Sequence, residues 1–147
     1  MLLPVNSSAH QLTNLSTILR SEMETNIQYG ALFNFTCAIF ERMGCSPADA
    51  ALATKVLLLA DLRGVDSHGV ARLSGYVRLW EAGRVNVSPD IRVIHQTPST
   101  AVIDGDSGLG MVVAPHAMQV GIEKAEKVGT GWVGVQNSNH FGIAAPH

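Results

Sequence analysis

The sequence predicts an α/β fold in which an N-terminal helical segment is followed by part of a mixed sheet. Three observations carry this. Apolar residues recur at three- and four-residue steps through the first half, the step changes to two after Pro89, and clear helix starts and stops punctuate both halves. The expected order is three helices, two strands, one helix, one strand.

Residues 1–26 mix Ser, Asn, Thr and isolated apolar side chains without a firm period, and read as an extension before a domain at 27–147. The helical part of that domain is expected at 27–83 and the start of its α/β part at 84–147. Leu32, Phe35, Ile39, Phe40 and Met43 form one stripe of a first helix over 27–43, which Gly44 is suited to cap. Ser46-Pro47-Ala48-Asp49 is a helix start, with Ser46 as cap, proline in the first turn and Asp49 supplying a carboxylate. That helix is expected to reach Leu62 with Leu52, Val56, Leu57 and Leu59 among its buried positions, and Gly64 breaks it. A third helix is expected from Ser67 or His68 to Gly83, turning Leu73, Tyr76, Val77 and Trp80 inward.

Beyond Pro89, Ile91 and Val93, then Ala101-Val102-Ile103, read as two short strands joined by a turn at Thr97-Pro98-Ser99. Asp104 to Gly110 reads as a strand-to-helix turn, with Asp and Gly chosen for their dihedral tolerance. A helix over 111–128 follows, then a short buried strand at Trp132-Val133-Gly134-Val135 that opens into Asn137-Ser138-Asn139-His140-Phe141-Gly142. The sheet looks unfinished where the chain stops at Ala145-Pro146-His147, so an N-terminal fragment is expected.

Composition narrows the function. Of 147 residues, 46% are hydrophobic and 15% charged, which is ordinary for a folded soluble chain. A formal charge of −2 gives no electrostatic reason to expect nucleic acid or an anionic membrane. No apolar run approaches a bilayer span, and the first ten residues lack the pattern of a secretory signal, so a cytoplasmic location is expected. Cys37 and Cys45 have no CxxC or histidine cluster around them, so zinc and a disulfide are both disfavoured and free thiols expected.

Two segments hold residues suited to chemistry. In Asp66-Ser67-His68-Gly69-Val70-Ala71-Arg72, a helix start capped by Asp66 or Ser67 would set His68 and Arg72 one turn apart on one face. A helix N-terminus with an added guanidinium receives a carboxylate well, because Arg binds it bidentately. The competing reading is a capped surface helix with an exposed Arg. In Ser138-Asn139-His140-Phe141-Gly142, His140 lies just past a strand end, and imidazole titrates where a proton must move to or from a carbinol oxygen. A histidine simply hydrogen-bonded in a turn is the alternative there. Asp104-Gly105-Asp106-Ser107-Gly108-Leu109-Gly110 matches neither an EF-hand nor a phosphate-cradling glycine loop. His95, His116, His10 and His147 show no metal spacing, so no metal is expected.

The segments ADLRGVDSHGVARL, VIDGDSGLG and VQNSNHFGIAA, with the Gly83 turn, resemble in order and spacing the malate/L-lactate dehydrogenase family, which is similar to ureidoglycolate dehydrogenases, sulfolactate dehydrogenases and imino-acid (piperideine-2-carboxylate) reductases. The resemblance covers roughly 27–145. It implies a nicotinamide-binding fold that is not the doubly wound one, a homodimer in the full-length form, and NAD- or NADP-dependent interconversion of a 2-hydroxy acid and a 2-oxo acid. Carried over by motif, His140 would donate and accept the substrate proton. Arg72 would hold the substrate carboxylate, with Ser67 and His68 lining the same pocket. Cofactor-binding residues would lie mostly beyond His147, so this chain alone is expected to be inactive. The alternative in another class is a truncated, non-catalytic protein that dimerises or binds a partner through its helical face. The pattern leaves open which 2-hydroxy acid or imino acid is used, and whether NAD or NADP.

Overall fold

A computed structural model describes residues 27–144. The expected extension at 1–26 and the chain end at Ala145-Pro146-His147 lie outside the described residues. Helix α1 spans Tyr29–Met43 and ends as its sequence predicts, on Gly44 at φ 105°, a left-handed conformation that glycine adopts without a Cβ penalty. Helix α2 spans Pro47–Leu62, and the Ser46 hydroxyl accepts the Asp49 amide at 3.1 Å as its cap. Phe40, Ala53, Val56, Leu57 and Leu58 fill the space between and beneath these helices with almost no exposure. Each large apolar side chain so buried contributes about 1.5–3 kcal/mol.

The α1 stripe is rotated from the expected one. Phe35 is 60% exposed while Thr36 is fully buried. Thr36 lies in line with Phe40 and Met43, and Phe35 falls about 100° around the helix from it, off the face that meets α2. In α2, Val56 and Leu57 are buried as expected, whereas Leu52 and Leu59 are half-buried at its margins.

The third expected helix is divided. Two short 3-10 turns, Asp66–His68 and Val70–Arg72, precede helix α3 at Leu73–Glu81. Gly69 joins the turns in extended geometry at ψ −156°, and no side chain caps either turn. The Asp61 carboxylate accepts the Val70 amide at 2.9 Å and occupies the place where a side chain on Gly69 would project. That bond captures a backbone donor which a continuous helix would have left free at its first turn. Leu73 and Tyr76 are buried, and Val77 and Trp80 pack half-buried against the same core.

Strands β1 (Arg92–Gln96) and β2 (Thr100–Gly108) pair antiparallel, closed by Thr97 and Thr100, whose backbone and hydroxyls bond each other. Helix α4 spans Gly110–Val128 and returns the chain to β3 (Trp132–Ser138), which pairs parallel to β2. The sheet is therefore mixed, in the order β1-β2-β3. Two expectations are corrected here. Strand β2 runs on through Gly108, and Asp106 and Ser107 at φ 48° and 58° make the irregularity inside it. Strand β3 extends to Ser138 and is largely exposed, with Trp132 at 77%, because α4 covers one face and β2 one edge.

Candidate active site at the join of the helical and sheet parts

The chain that leaves β3 is tied down before it reaches the histidine. Asn139 donates its amide to the Gly108 carbonyl at 3.1 Å and its side-chain amide to the Ser107 carbonyl at 2.7 Å. Its carbonyl and the His140 backbone sit against Gly110, where any Cβ would collide with them. Gly142 then turns the chain at φ 81°, with Val56 filling the space a side chain would need. The backbone from Asn139 to Gly142 is thus fixed by β2, α4 and α2 together, which sets the direction of His140.

The His140 ring meets both halves of the molecule. Its Nδ1 lies 3.1 Å from the Tyr76 hydroxyl and accepts the Gly142 amide at 3.1 Å. The ring centroid of His68 is 5.3 Å away, and the Phe141 ring stacks on His140 at 6.0 Å. Partial burial pushes the His140 pKa down from its ordinary 6.5, and the nearby Arg72 and His68 push it further in the same direction. The neutral ring is therefore the resting form at neutral pH.

The two turns carry the other expected residues to the same place. Ser67 Oγ and His68 Nδ1 are 2.9 Å apart, and Arg72 Nε donates to the Ser67 carbonyl at 2.7 Å. This bond replaces the expected shared helical face as the reason His68 and Arg72 lie together. It uses one guanidinium donor and leaves the terminal nitrogens of Arg72 without a partner among the described residues. Arg72 and His140 line one cavity of about 340 Å³ with Tyr76, Gly75, Arg78 and Arg84. Among the described residues no carboxylate lines it.

Tyr76, Asp61 and Gly142 belong to this arrangement and were not placed there by sequence. Tyr76 sits four residues after Arg72, a spacing that puts both on one helical face, but an inward apolar pattern reads such a tyrosine as core. Its ring is indeed core, packing on Phe40 at 6.4 Å, and burial raises the pKa of its phenol. The other histidines stay apart: His95 is on exposed β1 and His116 on the exposed side of α4. Among the described residues no group of three or more metal-binding side chains comes together. Cys37 and Cys45 are free thiols, and burial with the Asp49 charge pushes Cys45 up to about 11. No helix among the described residues is long and apolar enough to cross a membrane.

Nor do the described residues form a phosphate cradle for a dinucleotide. The first turn of α4 faces the Asn139 and His140 backbone, and Asp104 and Asp106 flank the preceding bend. A phosphate would meet carbonyls and carboxylates there.

Comparison with known proteins identifies the family of the chain. Residues 27–147 match the model of the malate/L-lactate dehydrogenase family. The chain is 49% identical over 113 residues to a malate dehydrogenase of Pyrococcus horikoshii, covering 77% of this chain and 31% of that protein. It is 44% identical over 106 residues to an L-sulfolactate dehydrogenase of Methanocaldococcus jannaschii, covering 72% and 31%. A solved structure of malate dehydrogenase from Pyrococcus horikoshii superposes with a TM-score of 0.77 at 42% identity, over 84% of this chain and 37% of that one. The chain spans about a third of the length of these relatives. In sequence and in fold alike, it belongs to the malate/L-lactate dehydrogenase family.

Proposed function

We propose that these residues form the substrate-facing part of an NAD- or NADP-dependent oxidoreductase that interconverts a 2-hydroxy acid and a 2-oxo acid. The observation that carries this reading is the meeting of His140 and Arg72 at one cavity, beside His68, from segments far apart in sequence. Arg72 binds the substrate carboxylate with its free terminal nitrogens, and Ser67 and His68 border the same space. His140 gives a proton to the substrate oxygen in the reducing direction and takes it back in the oxidising one. A bound nicotinamide would exchange the hydride. The relatives' names fit the substrate class, since malate and sulfolactate are both 2-hydroxy acids. The site works in a cytoplasmic homodimer in this reading.

The test is nicotinamide absorbance during reduction of oxaloacetate or pyruvate by the protein that contains this chain. His140→Ala is expected to lose turnover while keeping its fold. Undiminished turnover in that variant rules out the proton-transfer role.

A second reading rests on the exposed apolar surface of α4 and β3. Met118, Trp132, Val135 and Phe141 border a cavity of about 420 Å³ there, and such a surface serves association between chains. Sedimentation of this chain as a stable dimer with no nicotinamide binding would favour a non-catalytic interaction protein.

A further inference from the structure

We infer that Tyr76 is the positioning residue which lets His140 carry its proton at Nδ1, and so leaves Nε2 free to exchange one with the substrate. The inference rests on the proposed oxidoreductase role of His140 and adds to it the identity of the group behind the ring.

Nδ1 has two neighbours of different capacity. The Gly142 amide, at 3.1 Å, can only donate, so on its own it requires a bare Nδ1 and fixes the neutral ring as the Nε2–H tautomer. The Tyr76 hydroxyl, also at 3.1 Å, can donate to a bare Nδ1 or accept from a protonated one. Nε2 makes no hydrogen bond among the described residues, and it is the nitrogen left for substrate.

Proton exchange at Nε2 restricts which forms can take part. In reduction the Nε2–H bond of the imidazolium breaks and an O–H bond forms on the substrate oxygen. The ring electron pair left on Nε2 makes a neutral imidazole protonated at Nδ1. In oxidation the same Nδ1–H tautomer accepts the hydroxyl proton and becomes the imidazolium again. Both forms present an N–H at Nδ1, and both need an acceptor there. Tyr76 Oη supplies it, whereas the Gly142 amide would face another donor. A ring with glycine alone behind it would rest in the tautomer that cannot act as base.

Tyr76 is well placed for this. It is 3% exposed, its ring packs on Phe40, and its burial keeps the phenol protonated at neutral pH. The other titratable groups near His140 are Arg72 and His68 from the two turns, with Arg78 and Arg84 on the shared cavity. The three guanidiniums can only donate, and the His68 Nδ1 is already engaged by the Ser67 hydroxyl at 2.9 Å, so Tyr76 is the side-chain acceptor placed at Nδ1 of His140.

The experiment is long-range proton–nitrogen NMR on the uniformly labelled 147-residue chain, following both ring nitrogens of His140 against pH. Tyr76→Phe removes the acceptor and little else. It is expected to weaken protonation of His140 about tenfold and to hold the neutral ring in the Nε2–H form, because one hydrogen bond to a charged group is lost. Should Tyr76→Phe fail to fold, incorporation of 3-fluorotyrosine keeps the shape and makes the hydroxyl a weaker acceptor, shifting the ring the same way by less. An unchanged titration and tautomer balance in a folded variant overturns the assignment. The readout needs no turnover, so it stands or falls separately from the oxidoreductase reading.

Discussion

Val70 donates its backbone amide to the carboxylate of Asp61 across nine residues, at 2.9 Å, and Gly69 lies directly under that carboxylate. This one bond organises the segment that carries His68 and Arg72. It ends the first turn, starts the second, and anchors both to the last turns of α2.

Asp61→Ala is expected to leave the Val70 amide without its acceptor and to lower stability by about 1–3 kcal/mol. Asp61→Asn keeps an acceptor oxygen and should recover most of that loss. Urea unfolding of the chain followed by circular dichroism measures both. Gly69→Ala should cost more than Asp61→Asn, since the added methyl has no space unless the carboxylate leaves.

Arg72 is expected to act on binding more than on chemistry. Arg72→Gln in the protein containing this chain should raise KM for a 2-oxo acid about 10- to 100-fold, with a smaller change in kcat, because a bidentate charge-assisted contact is removed. A reversed split, with KM unchanged and kcat collapsed, would contradict carboxylate binding by this residue.

The lowered pKa of His140 makes a pH prediction. Burial, Arg72 and His68 all favour the neutral ring in the folded state. Stability from this group is therefore fully present above the ordinary imidazole value of about 6.5 and is lost as pH falls from there through the folded pKa. His140→Gln should flatten that part of the stability–pH curve. Turnover in the oxidising direction, which needs the neutral ring, should hold its plateau down to a pH below 6.5, and Arg72→Gln should move the break upward.

Thr36 is fully buried with its hydroxyl unpartnered among the described residues. Thr36→Val keeps the branched shape and removes a desolvated polar group, so it should stabilise the chain by about 1 kcal/mol. Thermal unfolding of the two chains side by side decides it.

Local signals explain why some elements were legible in the sequence. Ser46-Pro47, Gly44 and the change to a two-residue step act within a few residues, and the structure follows them closely. The departures came from partners distant in sequence. Asp61 broke a helix that the run from Ser67 to Gly83 would otherwise form, and a packing direction, which the period alone does not specify, turned Phe35 outward. His140, His68, Ser67 and Arg72 could each be singled out by residue type and motif. What joins them could not, since the Ser67 carbonyl, the Tyr76 hydroxyl and the Gly142 amide are contacts of the folded chain.

The bond between Tyr76 and His140 spans 64 residues, which predicts that it forms late in folding. His68 and Arg72 are held by contacts within about a dozen positions, which form early because little chain must be closed to make them. His140 reaches them only after β2, α4 and β3 have assembled and docked on the helices. The chemical shift of the ring is therefore expected to report the docking of the sheet on the helices, a long-range step that the local contacts of His68 and Arg72 do not register.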